Sequence, residues 1–196
     1  MAKRIIETVA FDPSQSNFAI AEIGVDIDSL ELHIRSLKVI TTESETSKGV
    51  IKVSDNLRRA RELHAGMMAS LSGKALAFAE IPLMITSQNP RIASMANYNS
   101  GMMVGLLSAV NIPLIQVFPK DVKIAMTGMK DACKEEMIEA AMNKYPGAPW
   151  MMRKSKGKLV PMNINEHLAD AVGAAEAGVL SEQFSNAIAM FKSMAA

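Results

Sequence analysis

The sequence predicts an α/β domain with a mixed central sheet, an antiparallel three-strand meander at its start, and helices on both faces. Three observations predict it. Residues 5–11 (IIETVAF), 17–27 and 30–40 are apolar or alternating runs joined by tight connections, as in a meander. Helical periodicity and short apolar runs then alternate. Neither an internal repeat nor a linker interrupts the 196 residues, so 1–196 reads as one domain, long enough for one core and short for two.

The first strand ends at Asp12-Pro13. Asp28-Ser29 turns the chain between the second and third, where Glu31, His33 and Arg35 alternate with Leu32 and Ile34. Thr41 to Lys48 is polar and loop-like. From Val53 to Leu71, Val53, Leu57, Ala60, Leu63 and Met67 recur at helical spacing, with Arg58, Arg59, Arg61 and Glu62 elsewhere, and Gly73 stops the helix. Residues 75–80 (ALAFAE) form a short strand that ends in an acid and precedes Pro82. A helix over 91–110, a strand from Ile112 to Val117, and shorter helices over 119–126 and 131–144 follow. Residues 146–162 (PGAPWMMRKSKGKLVPM) break the pattern with three prolines and a cluster of basic residues, and read as an insertion or mobile loop. The last helix starts near Asn163–Asn165 and runs to the 190s, with a break at Gly178.

Hydrophobic residues at 49% and charged residues at 21% are ordinary for a globular protein. Lys3 and Arg4 are followed only by short apolar stretches bounded by Glu7 and Asp12, neither a signal peptide nor a membrane span. The single cysteine, Cys133, excludes an internal disulfide and fits a reducing cytoplasm. A net charge of +1 does not announce a nucleic-acid binder, but a carboxylate metal site would mask local basic charge within a neutral total. Sixteen methionines either replace leucine in the core or, at Met67, Met68, Met102 and Met103, line an adaptable surface.

Three acids stand where the chain otherwise keeps apolar residues: Asp12 and Glu80 at strand ends, and Asp170 one turn into the last helix. The first and fourth strands can be neighbours in such a sheet, and a helix across them can bring in the third acid. Two Mg²⁺ about 4 Å apart, held by hard carboxylate oxygens, can neutralise a phosphorane-like transition state, activate water and stabilise the leaving oxygen. In Asn163-Ile-Asn-Glu-His-Leu-Ala-Asp170, His167 and Asp170 share a helix face, and so do Glu166 and Asp170. Asn163 and Glu166 have capping-box spacing. His167 and Asp170 are therefore the preferred pair and Glu166 the reserve, while His167 alone also fits a partly buried polar residue.

These residues resemble the RuvC-type Holliday-junction resolvases over roughly residues 5–178. Asp12-Pro-Ser after an apolar strand resembles the first catalytic acid of that family, Ala79-Glu80 its second, and His167-Leu-Ala-Asp170-Ala its terminal motif. Val122-Lys123 and Lys134 resemble a pair of lysines that hold DNA phosphates or assist at the active site. The resemblance implies an RNase H-like fold, a homodimer, and two Mg²⁺ (Mn²⁺ substituting) bound by Asp12, Glu80 and Asp170, with His167 a further ligand or the group that positions water. It implies paired nicks across a four-way DNA junction in the cytoplasm of a prokaryote or an infected host cell. The divergent, methionine-rich sequence suggests a phage version. Ser14 replaces the commoner glycine, Leu83 stands where some members carry a base-stacking aromatic, and the 146–162 segment is longer than in compact bacterial members.

Trp150 beside Arg153, Lys154, Lys156 and Lys158 suits either a DNA-contacting loop with a stacking ring or a solvated lysine loop with the ring packed locally. Gly101 and Gly105 beside Met102, Met103, Leu106 and Leu107 permit close helix packing, between subunits or within one. The same acids would serve a nuclease acting on flaps, forks or RNA–DNA hybrids. An actin-like or sugar-kinase-like ATPase needs a second domain and a glycine-rich adenosine motif, for which Asp170-Ala-Val-Gly173 is a poor candidate. A non-catalytic DNA-binding relative would have lost an acid, and none is missing.

Overall fold

The computed structural model describes residues 3–81 and 90–194. Strands β1 (Ile5–Asp12), β2 (Asn17–Asp26) and β3 (Leu32–Thr41) form the meander. Helix α1 (Lys52–Ser70), β4 (Leu76–Glu80), α2 (Pro90–Ala109) and β5 (Leu114–Val117) follow. Then come α3 (Pro119–Thr127), α4 (Lys134–Lys144), β6 (Met152–Ser155), β7 (Lys158–Pro161), α5 (Asn165–Val179) and α6 (Glu182–Met194). The main sheet has the order β3-β2-β1-β4-β5. β1 pairs antiparallel with β2 and parallel with β4, and β4 pairs parallel with β5. The sheet is mixed, and its C-terminal strand ends at β1, β4 and β5 share one edge.

Alternation along the strands divides the core into two layers. Val9, Phe11, Phe18, Ile20, Ala77 and Ala79 face Leu63 and Met67 of α1 and Met103, Leu106 and Leu107 of α2. Ala10, Ala21, Ile23, Leu76 and Phe78 face the opposite layer, built from α3, α4, α5 and α6. In β3 the alternation slips by one residue. Leu32 and Ile34 share a layer with Leu37 and Val39, because the register skips Arg35 at a bulge between Glu22 and Ile23.

Helix α5 lies directly on the sheet and contacts all five strands. From Ala171 to Val179 every residue is buried, which is why this stretch is mostly alanine and glycine. A Cβ on Gly178 would sit 2.1 Å from the Phe78 ring, and one on Gly173 would sit 2.8 Å from Val122. The chain leaves helix after Val179, just beyond Gly178, before α6 begins.

Several expectations change. Val53 and Leu57, spaced for the core, are 75% and 46% exposed, because only the later turns of α1 reach the sheet. Met67 and Met103 are fully buried, whereas Met68 is exposed, so the methionines divide between core and surface. Residues 152–161 are no mobile loop but a two-stranded antiparallel hairpin. Its two-residue turn, Lys156-Gly157, has φ of 48° and 79°, the left-handed pair that suits right-twisted strands. Trp150 is buried and donates from Nε1 to the Tyr145 carbonyl at 2.9 Å; it packs locally and is not a stacking platform. Leu83 lies outside the described residues. No helix among those described is long and apolar enough to cross a membrane.

The close approach at Gly178 is testable. Gly178→Ala should lower the unfolding free energy by about 1–3 kcal/mol through overpacking. Gly147→Ala, where an added Cβ meets nothing within 4 Å among the described residues and φ is not left-handed, should leave it unchanged or raise it by about 0.5–1 kcal/mol. Equal urea midpoints for the two variants would contradict this packing.

Candidate active site

The sheet itself aims two of the acids. Asp12 continues the face of Ala10, and Glu80 continues the face of Leu76 and Phe78, so both carboxylates project toward the α5 layer. The parallel register pairs Phe11 with Ala79, which makes Asp12 and Glu80 the next residues along adjacent strands. Of all α5 residues, only Glu166, His167 and Asp170 are not buried. They occupy one side of its first turns, where the helix passes the strand ends.

His167 Nδ1 lies 2.7 Å from Asp12 Oδ2. A carboxylate can only accept, so Nδ1 carries the proton and Nε2 is the nitrogen left for other work. This bond is the main reason the imidazole pKa is raised; partial burial opposes it. Glu80 is pushed up to about 8, first by burial, then by the charges of Asp170 and Asp12, with Lys123 opposing. Asp170 is pushed up to about 7, first by burial, then by Asp12 and Glu166, with His167 and Lys123 opposing. The three carboxylates thus lie within electrostatic reach of one another, and Lys123 of α3 is a cation in their midst.

Oxygen donors whose ionisation is opposed by burial and by each other are what a hard divalent cation would relieve. Among the described residues, no group of three or more His, Cys, Asp or Glu side chains lies close enough together to hold a metal ion as it stands. The chemistry of the donor set nonetheless suits such an ion: carboxylates from β1, β4 and α5 lie within electrostatic reach of one another, and an imidazole is bonded to one of them.

Lys134 begins α4 and pairs with Glu166. Asn163 and Glu166 form no capping box: the helix starts at Asn165, Ile164 caps it without a side-chain bond, and the Glu166 amide donates to the Asn163 carbonyl. Arg153, Lys154, Lys156 and Lys158 are exposed on the hairpin. The hairpin's base is tied to α5 by Asn165, which is fully buried. Its amide donates to the Met151 carbonyl at 2.8 Å and accepts from the Met151 amide at 2.9 Å.

Sequence reasoning missed Asn165 and Arg59. Arg59, placed on the polar side of α1, is buried. Its guanidinium donates to the Gln15 carbonyl, Ser16 Oγ, and the Thr42 hydroxyl and carbonyl. It thereby fixes the loop that follows Asp12 against the end of β3. An arginine among three other charged residues gives no local signal of burial.

Neither a protein-family model nor a curated protein matches the chain. Solved structures do. Thermus thermophilus RuvC aligns with a TM-score of 0.65 at 17% identity, over 92% of this chain and 97% of that one. RuvC of T. thermophilus in complex with a Holliday junction substrate aligns at 0.64 and 17%, over 88% and 92%. The yeast mitochondrial Holliday junction resolvase Ydc2 aligns at 0.58 and 14%, over 88% and 77%. The chain therefore has the RNase H-like fold in its RuvC form.

The raised acids make stability depend on pH. A carboxyl whose folded pKa exceeds its unfolded value favours the protonated native state, so that stabilisation is present at low pH and lost as pH rises. Here the window runs from the ordinary values of 4.5 and 3.8 up to about 8 and about 7. The raised His167 pKa acts in the same direction. In metal-free buffer the melting temperature should fall between pH 5 and pH 8. Glu80→Gln should flatten that fall and melt about 5 °C higher than wild type at pH 8. A wild-type melting temperature that rises over this range would contradict the electrostatics.

Proposed function

We propose that this chain is a metal-dependent endodeoxyribonuclease that resolves four-way DNA junctions by paired nicks. The observation that carries the reading is the placement of Asp12 and Glu80 at adjacent strand ends facing α5, within electrostatic reach of Asp170 and Lys123. Its setting in a fold shared with a RuvC solved on a Holliday junction supports the choice of substrate.

Asp12, Glu80 and Asp170 would hold two Mg²⁺, with Mn²⁺ able to substitute. Bound there, such ions would lower the pKa of a water and offset charge on the transferring phosphoryl group and the leaving oxygen. Water attacks directly, and no covalent intermediate forms with the protein. His167, oriented through Nδ1 by Asp12, would use Nε2 to position the water or serve as a further ligand. Lys123 sets a cation against the scissile phosphate, and Lys134 contacts a neighbouring one. Arg153, Lys154, Lys156 and Lys158 on the hairpin reach the backbone of a junction arm. Asn165 holds that arm-binding hairpin in fixed relation to the acids.

Paired nicks require two sites, so the working form is a homodimer. The exposed side of α2 supports this. A Cβ on Gly101 or Gly105 would meet nothing within 4 Å among the described residues, and Tyr98 and Val104 are 43% and 42% exposed beside them. Glycines at this spacing would let a second helix approach closely.

Flaps, forks and RNA–DNA hybrids could be cut by the same acids, and substrate competition separates these readings. With a labelled four-way junction in Mg²⁺, the wild type should give symmetrical paired nicks. Asp12→Asn should lower the rate by about 10³-fold or more while binding persists. Cutting of flaps or hybrids but not junctions would move the function to that alternative. No cutting of any substrate would leave a DNA-binding relative without catalysis.

A further inference from the structure

The Lys134–Glu166 pair has no evident part in holding the fold together. Lys134 is 70% exposed at the first residue of α4, and Glu166 is 21% exposed at the start of α5. Exposed pairs of this kind add little to stability. Neither side chain has another hydrogen-bond partner among the described residues. The contrast with Glu176 is instructive: that carboxylate, 10% exposed, is bonded by both Lys144 and the Tyr145 hydroxyl and anchors α4 to α5. Glu166 also does not cap its own helix. It adds a negative charge at the edge of the site, four residues before Asp170 on the same helix face, and is one of the charges that hold Asp170 up. A free carboxylate there would repel an incoming phosphate. Neutralised by Lys134, it does not.

We propose that Glu166 is an internal substitute for a DNA phosphate, holding Lys134 in the free protein and being displaced from it by the backbone of the bound strand. This deepens the function proposed above and rests on its assignment of Lys134 to DNA. Every ligand must break the pair before it gains Lys134. A ligand with few other contacts gains little by doing so. A junction that also engages the hairpin and Lys123 tolerates the loss. Glu166 thus sets a threshold for binding and tunes discrimination against casual contact with DNA.

The test is binding of a fluorescent four-way junction in EDTA, titrated at several salt concentrations, so that cleavage and metal binding play no part. Glu166→Gln should tighten binding about three- to fivefold at low salt. It should also steepen the dependence of log affinity on log salt by roughly one, because no freed carboxylate takes up a cation when DNA binds. In a Lys134→Ala background the same substitution should leave the salt dependence unchanged and tighten binding less than about twofold, the remaining gain being relief of repulsion between the unpaired carboxylate and the phosphates. Glu166→Ala repeats the comparison should glutamine disturb the first turn of α5. Unchanged affinity in Glu166→Gln overturns the proposal. So does an equal gain and an equal steepening in Lys134→Ala, which would mark a general charge effect. Failure of the wild type to bind the junction at all would instead overturn the function on which the proposal rests.

Discussion

Helix α5 must lie close against the sheet, and the rest of the molecule is arranged around that contact. Nine consecutive residues from Ala171 to Val179 are buried, a helix enclosed on every side rather than an amphipathic surface one. The sheet supplies one wall, through Phe78 against Gly178, and α3 supplies another, through Val122 against Gly173. Enclosure leaves the helix free only at its first turns, where the strands end. There Glu166, His167 and Asp170 emerge beside Asp12 and Glu80.

The same contact explains why the site is electrostatically costly. A helix that approaches closely enough to bury its alanines also brings Asp170 into the field of Asp12 and Glu80. Burial and repulsion then raise two carboxyl groups far above their ordinary range. Lys123 and His167 offset part of this, each from a different element. Around this centre lie holding devices that touch no acid directly: Arg59 on the loop after Asp12, and Asn165 at the base of the basic hairpin. Both replace backbone hydrogen bonds that irregular chain cannot make for itself.

Much of this was legible in the sequence, for a physical reason. Period-two alternation in β1 and β4 assigns Asp12 and Glu80 to a face as well as to an end, and helical spacing does the same for His167 and Asp170. The meander, α1 and the order of the later elements follow from local patterns too. What escaped depends on distant partners. The hairpin over 152–161 has four exposed residues in its first strand, so no apolar alternation marks it, and only the Lys156-Gly157 turn hints at it. The bulge at Arg35 shifts the phase of β3 to suit β2. The capping box suggested by Asn163 and Glu166 loses to Lys134, which lies 32 residues away in the chain. Burial of Arg59 depends on carbonyls from two other loops.

The proposed function requires Asp12, Glu80 and Asp170 to bind a divalent cation. The most direct measurement is the melting temperature at pH 8 as Mg²⁺ or Mn²⁺ is added, for the wild type and for Glu80→Gln. A ligand that binds only the native state must raise it. The wild type should rise by several degrees at saturation, and Glu80→Gln, with one ligand and one repulsive charge removed, should start higher and rise little. An equal rise in both proteins, or none in the wild type, would contradict the claim.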